Sequence, residues 1–256
     1  VASPLVIASG NVEKGFKEAE HVFEEIFETQ SQRHAAMETH CCVASFDMEE
    51  NLTTWVSHQT PHALQELLSE YLEIPLSKVR VIKLYLGGGF GGKLDMLIEH
   101  TCALLSRMSG RPVKIVLNRR EVFSCTITRH ADVIRLEVGV KKDGKLTAMR
   151  VHLLSDVGGY FYHKSVLAVT ARTFLGYYRC PNVKFEGYAV YTNHAIAGPM
   201  RGYGHPQALF AQESMLDMVA DSLGIDPIEV RLKNFVKLCG LPECLSRGAK
   251  KIGWEG

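Results

Sequence analysis

The segment Leu86–Lys93 constrains this chain more than any other, because five of its eight residues are glycine. Glycine adopts left-handed backbone conformations at no steric cost and lets a backbone approach a ligand closely. Each glycine also costs roughly 0.5–1 kcal/mol of backbone entropy relative to alanine, so such a run favours a functional loop. The preceding residues, Val79–Leu86, predict a strand. The residues that follow predict a helix that begins directly after the loop, with one apolar face formed by Leu94, Leu97, Ile98, Leu104, Leu105 and Met108.

The loop fits two phosphate-binding patterns, and one of them fails on chemistry. Gly87, Gly92 and Lys93 fit GxxxxGK, the pattern of a P-loop. A P-loop needs Ser or Thr after the lysine to hold magnesium, whereas Leu94 occupies that position. A nucleoside triphosphate site of this type is therefore not expected.

The dinucleotide-binding pattern GxGxxG also fits the loop, through Gly87, Gly89 and Gly92. It requires an acidic residue at the end of the next strand, but Leu117 is followed by Asn118 and two arginines. Those arginines suit a 2′-phosphate, which leaves an NADP-binding protein as a distant alternative. A tight strand-to-helix junction without any ligand is a third interpretation of the same glycines.

Composition narrows the function classes. The 256 residues carry a formal net charge of +1, which gives no electrostatic reason to expect nucleic acid or an anionic membrane as a partner. No apolar run approaches the length of a membrane span, and no export signal is visible, so a cytoplasmic location is expected. Seven irregularly spaced cysteines without a CxxC pair predict free thiols. They are Cys41, Cys42, Cys102, Cys125, Cys180, Cys239 and Cys244.

Helical and strand signals are interspersed along the chain. The alternating segments 132–140 and 145–155 flank Asp143-Gly144 and predict a β-hairpin. Residues 160–181 are aromatic and irregular in pattern. Capping signals and apolar periodicity predict helices at about 12–19, 61–72, 207–223 and from Asp226 onward. The expected fold class is α+β, with mixed sheets and packed helices, as one body or as two lobes of about 1–120 and 121–256.

Five segments, in order, resemble signatures of the xanthine dehydrogenase and aldehyde oxidase family. They are His34–His40 (HAAMETH), Gln59-Thr60-Pro61, Gly87–Lys93 (GGGFGGK), Arg201–Gln207 (RGYGHPQ) and Arg231–Asn234 (RLKN). Together they are far more specific than any single motif. The resemblance implies a partial molybdenum-cofactor-binding domain over residues 1–256, without the family's small N-terminal domain and its C-terminal half.

That family hydroxylates an aldehyde or an N-heterocycle with oxygen taken from water. The resemblance implies a molybdenum–molybdopterin cofactor, with or without a nucleotide extension. It also implies partners: the remaining half of the molybdenum subunit, and iron–sulfur and FAD domains or subunits that carry electrons away. As in other cofactor enzymes, the protein contributes positioning and electrostatics.

The resemblance also assigns roles to particular residues. Gln59 is expected to donate its side-chain amide to an oxygen ligand of molybdenum, and backbone groups at Gly89, Phe90 and Gly91 to face the metal's ligands and the pterin. Arg201 is expected to add a backbone contact from the other side. The residues expected nearest the metal are thus Gln59, Phe90 and Arg201. A loop at a helix N-terminus, which points N–H groups outward, would suit this role.

The expected substrate-binding residues depart from the purine-oxidising members. Leu94 stands where those members have a glutamate, and Tyr203 stands where the family often has phenylalanine. Arg172 is the nearest candidate for the arginine that orients purines. The family's catalytic glutamate, in a GxGEPP segment, has no counterpart in the chain. The chain is therefore expected to be inactive alone, and a cofactor-free scaffold is the alternative function.

Overall fold

A computed structural model describes residues 4–236 and 240–254 and resolves two compact units. The first contains Val1–Ser31, His130–Asn193 and Gly202–Gly256, and the second contains Gln32–Arg129 and His194–Arg201. These boundaries differ from two lobes divided near residue 120. The reason is strand pairing, since residues 21–29 hydrogen-bond to residues 132–140 along an antiparallel register.

The first unit is built on a five-stranded mixed sheet in the order β1-β9-β8-β7-β2. Its strands are β1 (Leu5–Ser9), β2 (His21–Thr29), β7 (Ala131–Val140), β8 (Leu146–Gly158) and β9 (Val183–Tyr191). Only the β8–β9 pair is parallel. Its helices are α1 (Val12–Glu18), α5 (Lys164–Gly176), α6 (His205–Leu223), α7 (Pro227–Asn234) and α8 (Leu241–Ile252).

Alternation along the central strands explains where the core of the first unit lies. In β7, Ile134, Leu136 and Val138 are buried, whereas Val133 just before them and Arg135 between them are exposed. Side chains of a strand point to opposite faces in turn, so one face of the sheet is apolar. That face packs with buried side chains of β8, β9, α5 and α6 in one cluster.

The second unit is built on a four-stranded mixed sheet in the order β5-β4-β3-β6. Its strands are β3 (Cys41–Phe46), β4 (Leu52–Val56), β5 (Val79–Lys83) and β6 (Val113–Val116). Its helices are α2 (Pro61–Leu72), α3 (Glu99–Ser109) and α4 (Arg119–Cys125). In α2 the residues Leu64, Leu68 and Leu72 recur at helical spacing and are buried against the sheet. The expected α+β class is confirmed by both units.

Two predicted elements were wrong. The helix after the glycine loop begins at Glu99 and not at Leu94, because the Glu99 carboxylate accepts the amides of Leu97 (2.8 Å) and Ile98 (3.0 Å) at the helix start. The buried face of that helix is formed by Glu99, Cys102, Ala103 and Ser106, whereas Leu104, Leu105 and Met108 are exposed. The segment 160–181 is also not irregular throughout, since it contains α5.

Other local predictions are confirmed. The hairpin at Asp143-Gly144 joins β7 to β8, with Gly144 at φ 79°. The side chain of Asn11 caps α1 through the amide of Lys14 (2.9 Å). Six cysteines are free thiols, and Cys239 lies outside the described residues.

No helix among residues 4–236 and 240–254 combines the length and apolarity needed to cross a bilayer.

The Arg231–Asn234 segment joins α7 to the β7–β8 hairpin within the first unit. The Asn234 side chain, which is 2% exposed, accepts from the amide of Leu146 (3.0 Å) and donates to the carbonyls of Gly144 (2.8 Å) and Val230 (2.8 Å). It thereby ties the end of α7 to the hairpin. Buried polar groups that lose such partners destabilise a fold strongly.

We expect Asn234→Ala to lower the free energy of unfolding by about 3 kcal/mol, because it strands a buried amide and a buried carbonyl. Thermal unfolding monitored by circular dichroism should show a midpoint several degrees below that of the wild type. Lys142→Ala, on the exposed side of the same hairpin, serves as the matched control and should shift the midpoint little. Equal midpoints for the two variants would contradict the assignment.

Candidate functional site

The glycine loop, residues 87–93, lies between β5 and α3 and turns back on itself through left-handed residues. Gly88, Phe90 and Gly91 have φ angles of 101°, 54° and 98°. A Cβ on Gly91 would lie 2.4 Å from the carbonyl oxygen of Pro199, so only glycine fits at that position. Two independent reasons therefore require glycine at position 91: its positive φ angle and its close approach to Pro199.

Gln59 is locked against this loop by its side-chain oxygen. Its Oε1 accepts hydrogen bonds from the amides of Gly91 (2.9 Å) and Lys93 (3.3 Å). The backbone N–H of Gln59 donates to the Lys93 carbonyl at 2.8 Å. A Cβ on Gly89 would lie 2.4 Å from Gln59 Oε1, so the loop and the glutamine fit together only with glycine there. These contacts leave the Gln59 Nε2 group as a donor without a partner among the described residues.

Several loop amides are also available to a ligand. Within the part of the chain that the structure describes, the N–H groups of Gly88, Gly89 and Phe90 donate no hydrogen bond, whereas that of Gly91 is used by Gln59. The loop does not open a helix, since α3 begins at Glu99. The donors are therefore presented by three successive turn residues, of which Gly88 and Phe90 have positive φ, an arrangement that suits anionic or oxygen-rich ligands.

A second loop, residues 199–201, packs on the first. The Arg201 amide donates to the Phe90 carbonyl at 2.9 Å, and the Arg201 guanidinium lies over the Phe90 ring at 4.4 Å from the centroid. The Arg201 carbonyl in turn accepts from Arg129 Nη2 at 2.6 Å. The structure thus brings together Gln59, Gly89, Phe90, Gly91 and Arg201, all of which the sequence had singled out.

Lys93 does not face a ligand. Its side chain is 1% exposed, and its Nζ donates to Glu38 Oε2 (2.8 Å) and to Ser57 Oγ (2.9 Å). The same carboxylate oxygen accepts from the amide of Gly87 (2.8 Å) and from the Ser57 hydroxyl. A lysine held in this way cannot reach a phosphate, which agrees with the exclusion of a P-loop.

Burial would by itself raise the pKa of Glu38, but the hydrogen bonds from Lys93, Ser57 and the Gly87 amide together hold that pKa below its ordinary value. The cluster of buried Lys93, buried Ser57 and partly exposed Glu38 was not found from the sequence. Its members are far apart along the chain, and the only signal was that Glu38 and Lys93 each lie inside a motif.

The sheet topology rules against a dinucleotide-binding unit. The strand before the loop and the strand after α3, β5 and β6, are at opposite edges of the four-stranded sheet. A Rossmann unit is a mostly parallel sheet built from βαβ crossovers, but here β4 and β3 lie between the two strands and β3 runs antiparallel to both of its neighbours. The NADP-binding alternative loses its structural basis.

The histidines near the loop act as supports. His34 Nε2 lies 2.7 Å from the Pro199 carbonyl, and His40 Nε2 lies 2.8 Å from the Gly92 carbonyl. Burial lowers the pKa of both rings. Among the described residues no group of three or more His, Cys, Asp or Glu side chains could hold a metal ion.

The predicted substrate residues are distributed over both units. In the second unit, Leu94 is half-buried, and its carbonyl accepts from Thr60 Oγ1 at 3.0 Å, which draws that hydroxyl away from capping α2. In the first unit, Tyr203 (φ 48°) places its hydroxyl 2.5 Å from Ser165 Oγ and 3.1 Å from His163 Nδ1. Arg172 is exposed on α5, seven residues beyond Ser165 and thus about 10 Å further along that helix.

Comparison with known proteins agrees with this geometry. A model of the molybdopterin cofactor-binding domain family matches residues 2–235. The xanthine dehydrogenase molybdenum-binding subunit of Escherichia coli O157:H7 is 38% identical over 265 residues, covering 97% of this chain and 35% of that protein. The nicotinate dehydrogenase large molybdopterin subunit of Eubacterium barkeri is 37% identical, covering 88% of this chain and 53% of that protein.

A solved structure shows the same fold. Aldehyde oxidoreductase from Desulfovibrio gigas matches with a TM-score of 0.92 at 27% identity, covering 97% of this chain and 29% of that one. The chain belongs to the molybdopterin cofactor-binding domain family, as its motifs indicated. It spans about a third of the xanthine dehydrogenase subunit that it matches.

We expect Glu38→Ala to destabilise the protein by about 2–4 kcal/mol, because it leaves the Lys93 ammonium buried without a counter-charge. The double variant Glu38→Gln/Lys93→Met should recover much of this loss, since it removes both charges at nearly unchanged volume. Urea unfolding would measure both, with Glu66→Ala on the exposed side of α2 as control. A double variant less stable than Glu38→Ala would argue against a simple charge pair.

The lowered pKa of Glu38 also predicts a pH dependence. A carboxyl whose folded-state pKa is depressed contributes stability above its unfolded pKa and loses that contribution as the pH falls. The difference in stability between wild type and Glu38→Gln should therefore be full at neutral pH and shrink below about pH 4.5. Paired urea titrations from pH 7 to pH 3 measure this difference, and a gap that widens on acidification would refute the prediction.

Proposed function

We propose that this chain forms part of the cofactor site of a molybdenum hydroxylase that oxidises an aldehyde or an N-heterocycle with oxygen derived from water. The molybdenum–molybdopterin group supplies a centre that accepts two electrons from the substrate. The contribution of this chain is to bind and orient that group.

The observation that carries the proposal is the fixed orientation of the Gln59 amide. Two backbone N–H groups, from Gly91 and Lys93, point at one end of that amide, so that end must be the oxygen. The NH₂ end is then the donor that remains for a ligand. A carboxamide held in one orientation donates to an oxygen ligand without the entropic cost of ordering the side chain on binding.

The residues present fit an oxygen-rich cofactor. Gly89 has no Cβ to fill the cradle beside Gln59, and its N–H group and that of Phe90 are free to donate. Gly91 contributes by orienting Gln59 and not as a donor of its own. Arg201 would act through the backbone at the Phe90 carbonyl and through the positive charge that it holds over the Phe90 ring.

The substrate class is inferred from the chemistry of the three residues that the sequence predicts to bind substrate. Leu94 offers no hydrogen bond from its side chain to a heterocycle, which disfavours a purine as substrate. Tyr203, with its hydroxyl already bonded to Ser165 and His163, presents an aromatic ring that is suited to a flat or aromatic substrate. Arg172 is a candidate for an anionic substituent on the substrate.

The chain carries no assigned catalytic base, and we infer that this base, the iron–sulfur clusters and the FAD are supplied by other parts of the protein or by partner subunits. The test therefore needs the complete enzyme that contains this chain. Molybdenum and pterin content per chain is the first measurement. A complete protein that never retains molybdenum when the cofactor is supplied would support the scaffold alternative.

We expect Gln59→Glu to lower kcat/KM of the complete enzyme by about 10–100-fold, the usual effect of losing a group that orients a metal's ligands. A glutamate can still accept from the amides of Gly91 and Lys93, but it cannot donate. The variant therefore replaces the Nε2 donor by a negatively charged acceptor while keeping the hydrogen bonds to the loop. Gln32→Ala, an exposed glutamine of the same unit, is the control. Unchanged turnover in Gln59→Glu would overturn the role of this amide.

A further inference from the structure

A small, partly open cavity lies in the second unit, lined by residues of the glycine loop, of the segment 34–40 and of α4. Its volume is about 10 Å³, close to the minimum that one water molecule requires. Cavities of this size remain dry when their walls are apolar and are hydrated when two or more polar groups face them. The polar groups of the lining therefore decide its content.

His40 contributes an acceptor to this lining. Its ring is 7% exposed, and Nε2 lies 2.8 Å from the Gly92 carbonyl oxygen, which can only accept, so Nε2 carries the proton. Burial disfavours the imidazolium and lowers the pKa of the ring, so the ring is neutral and Nδ1 is a bare acceptor. Nδ1 is buried and has no hydrogen-bond partner among the described residues.

Arg119 contributes a donor. Its Nη2 donates to the carbonyls of Ala36 (2.5 Å) and Met37 (3.0 Å), which fixes the guanidinium plane. Its Nη1 is buried and, like His40 Nδ1, has no partner among the described residues. A guanidinium is charged at all physiological pH values, and a buried N–H of a charged group is costly to leave unpaired.

The two orphaned groups are complementary and belong to residues of one cavity wall. We propose that a single ordered water molecule occupies this cavity, accepting a hydrogen bond from Arg119 Nη1 and donating one to His40 Nδ1. Glu38 also lines the cavity, and its Oε1 accepts no hydrogen bond within the described part of the chain, so it is the acceptor for the second proton of the water. Three hydrogen bonds are typical of a buried water.

This water would stabilise the glycine loop indirectly, through the His40 ring that bonds the Gly92 carbonyl. It joins the guanidinium at the start of α4 to the His40 ring, whose other nitrogen bonds the Gly92 carbonyl. The loop backbone is thus held through His40 by the Arg119 guanidinium, whose own hydrogen bonds go to Ala36 and Met37 and not to the loop. The inference does not depend on the proposed enzymatic function, because it concerns the hydration of the protein interior.

The direct test is a crystal structure of the complete protein at a resolution that shows ordered water. We expect a density peak within about 3.2 Å of both His40 Nδ1 and Arg119 Nη1. In His40→Phe, which keeps an aromatic ring but removes the acceptor, that peak should disappear. A cavity that is empty in the wild type, or a direct contact that closes between the two side chains, would overturn the proposal.

Amide hydrogen exchange of residues 87–93 in the complete protein gives an independent test. His40→Phe and Arg119→Met should each speed exchange of the hydrogen-bonded amides of this segment, by roughly fivefold to tenfold, as expected for the loss of about one net hydrogen bond. Those amides belong to Gly87, Gly91, Gly92 and Lys93. Both variants remove the same water, and each also removes direct bonds of its own, from His40 to the Gly92 carbonyl and from Arg119 to the carbonyls of Ala36 and Met37. The double variant should therefore exchange more slowly than the product of the two single effects. Arg120→Met, an exposed neighbour, is the control. Effects that multiply in the double variant would show that no water is shared.

Discussion

The ammonium group of Lys93 lies in the interior of the second unit, and a buried charge must find its counter-charge and its acceptors where it lies. Glu38 and Ser57 supply them, and the same Glu38 oxygen accepts the amide of Gly87 at the start of the loop. The backbone of Lys93 meanwhile exchanges hydrogen bonds with Gln59. One buried charge thus fixes both ends of the glycine loop and the position of the glutamine.

The glycines of the loop and the glutamine beside it impose conditions on each other. Gln59 approaches Gly89 so closely that any side chain there would displace its carboxamide. Gly91, with φ at 98°, turns its amide onto Gln59 Oε1. The orientation of the carboxamide follows from the fold of the loop and needs no ligand. A site assembled before its ligand arrives has already met part of the entropic cost of binding.

The sequence predicted best where structure depends on neighbouring residues. The Asp143-Gly144 hairpin and the Asn11 cap follow from local backbone chemistry, and both are present. Prediction from the sequence failed where contacts between residues that are distant along the chain, or an unexpected side-chain cap, determine the structure. The first turn after the loop is shaped by the Glu99 carboxylate, which bonds two amides before the helix. The partner of Lys93 lies 55 residues away, beyond the reach of any periodicity. The residues that motif resemblance singled out contact one another in the structure, but the motifs did not separate the free donors from the groups that position them.

The contact between the two loops explains why an arginine stands beside a phenylalanine at the site. The backbone of Arg201 bonds the Phe90 carbonyl and the Arg129 guanidinium, so the Arg201 side chain is held over the exposed Phe90 ring. A guanidinium on an aromatic face keeps its full charge and remains partly hydrated. The loop therefore combines unpaired amides, a fixed carboxamide donor and a nearby positive charge. All three favour the same kind of ligand, one that presents oxygen atoms or negative charge.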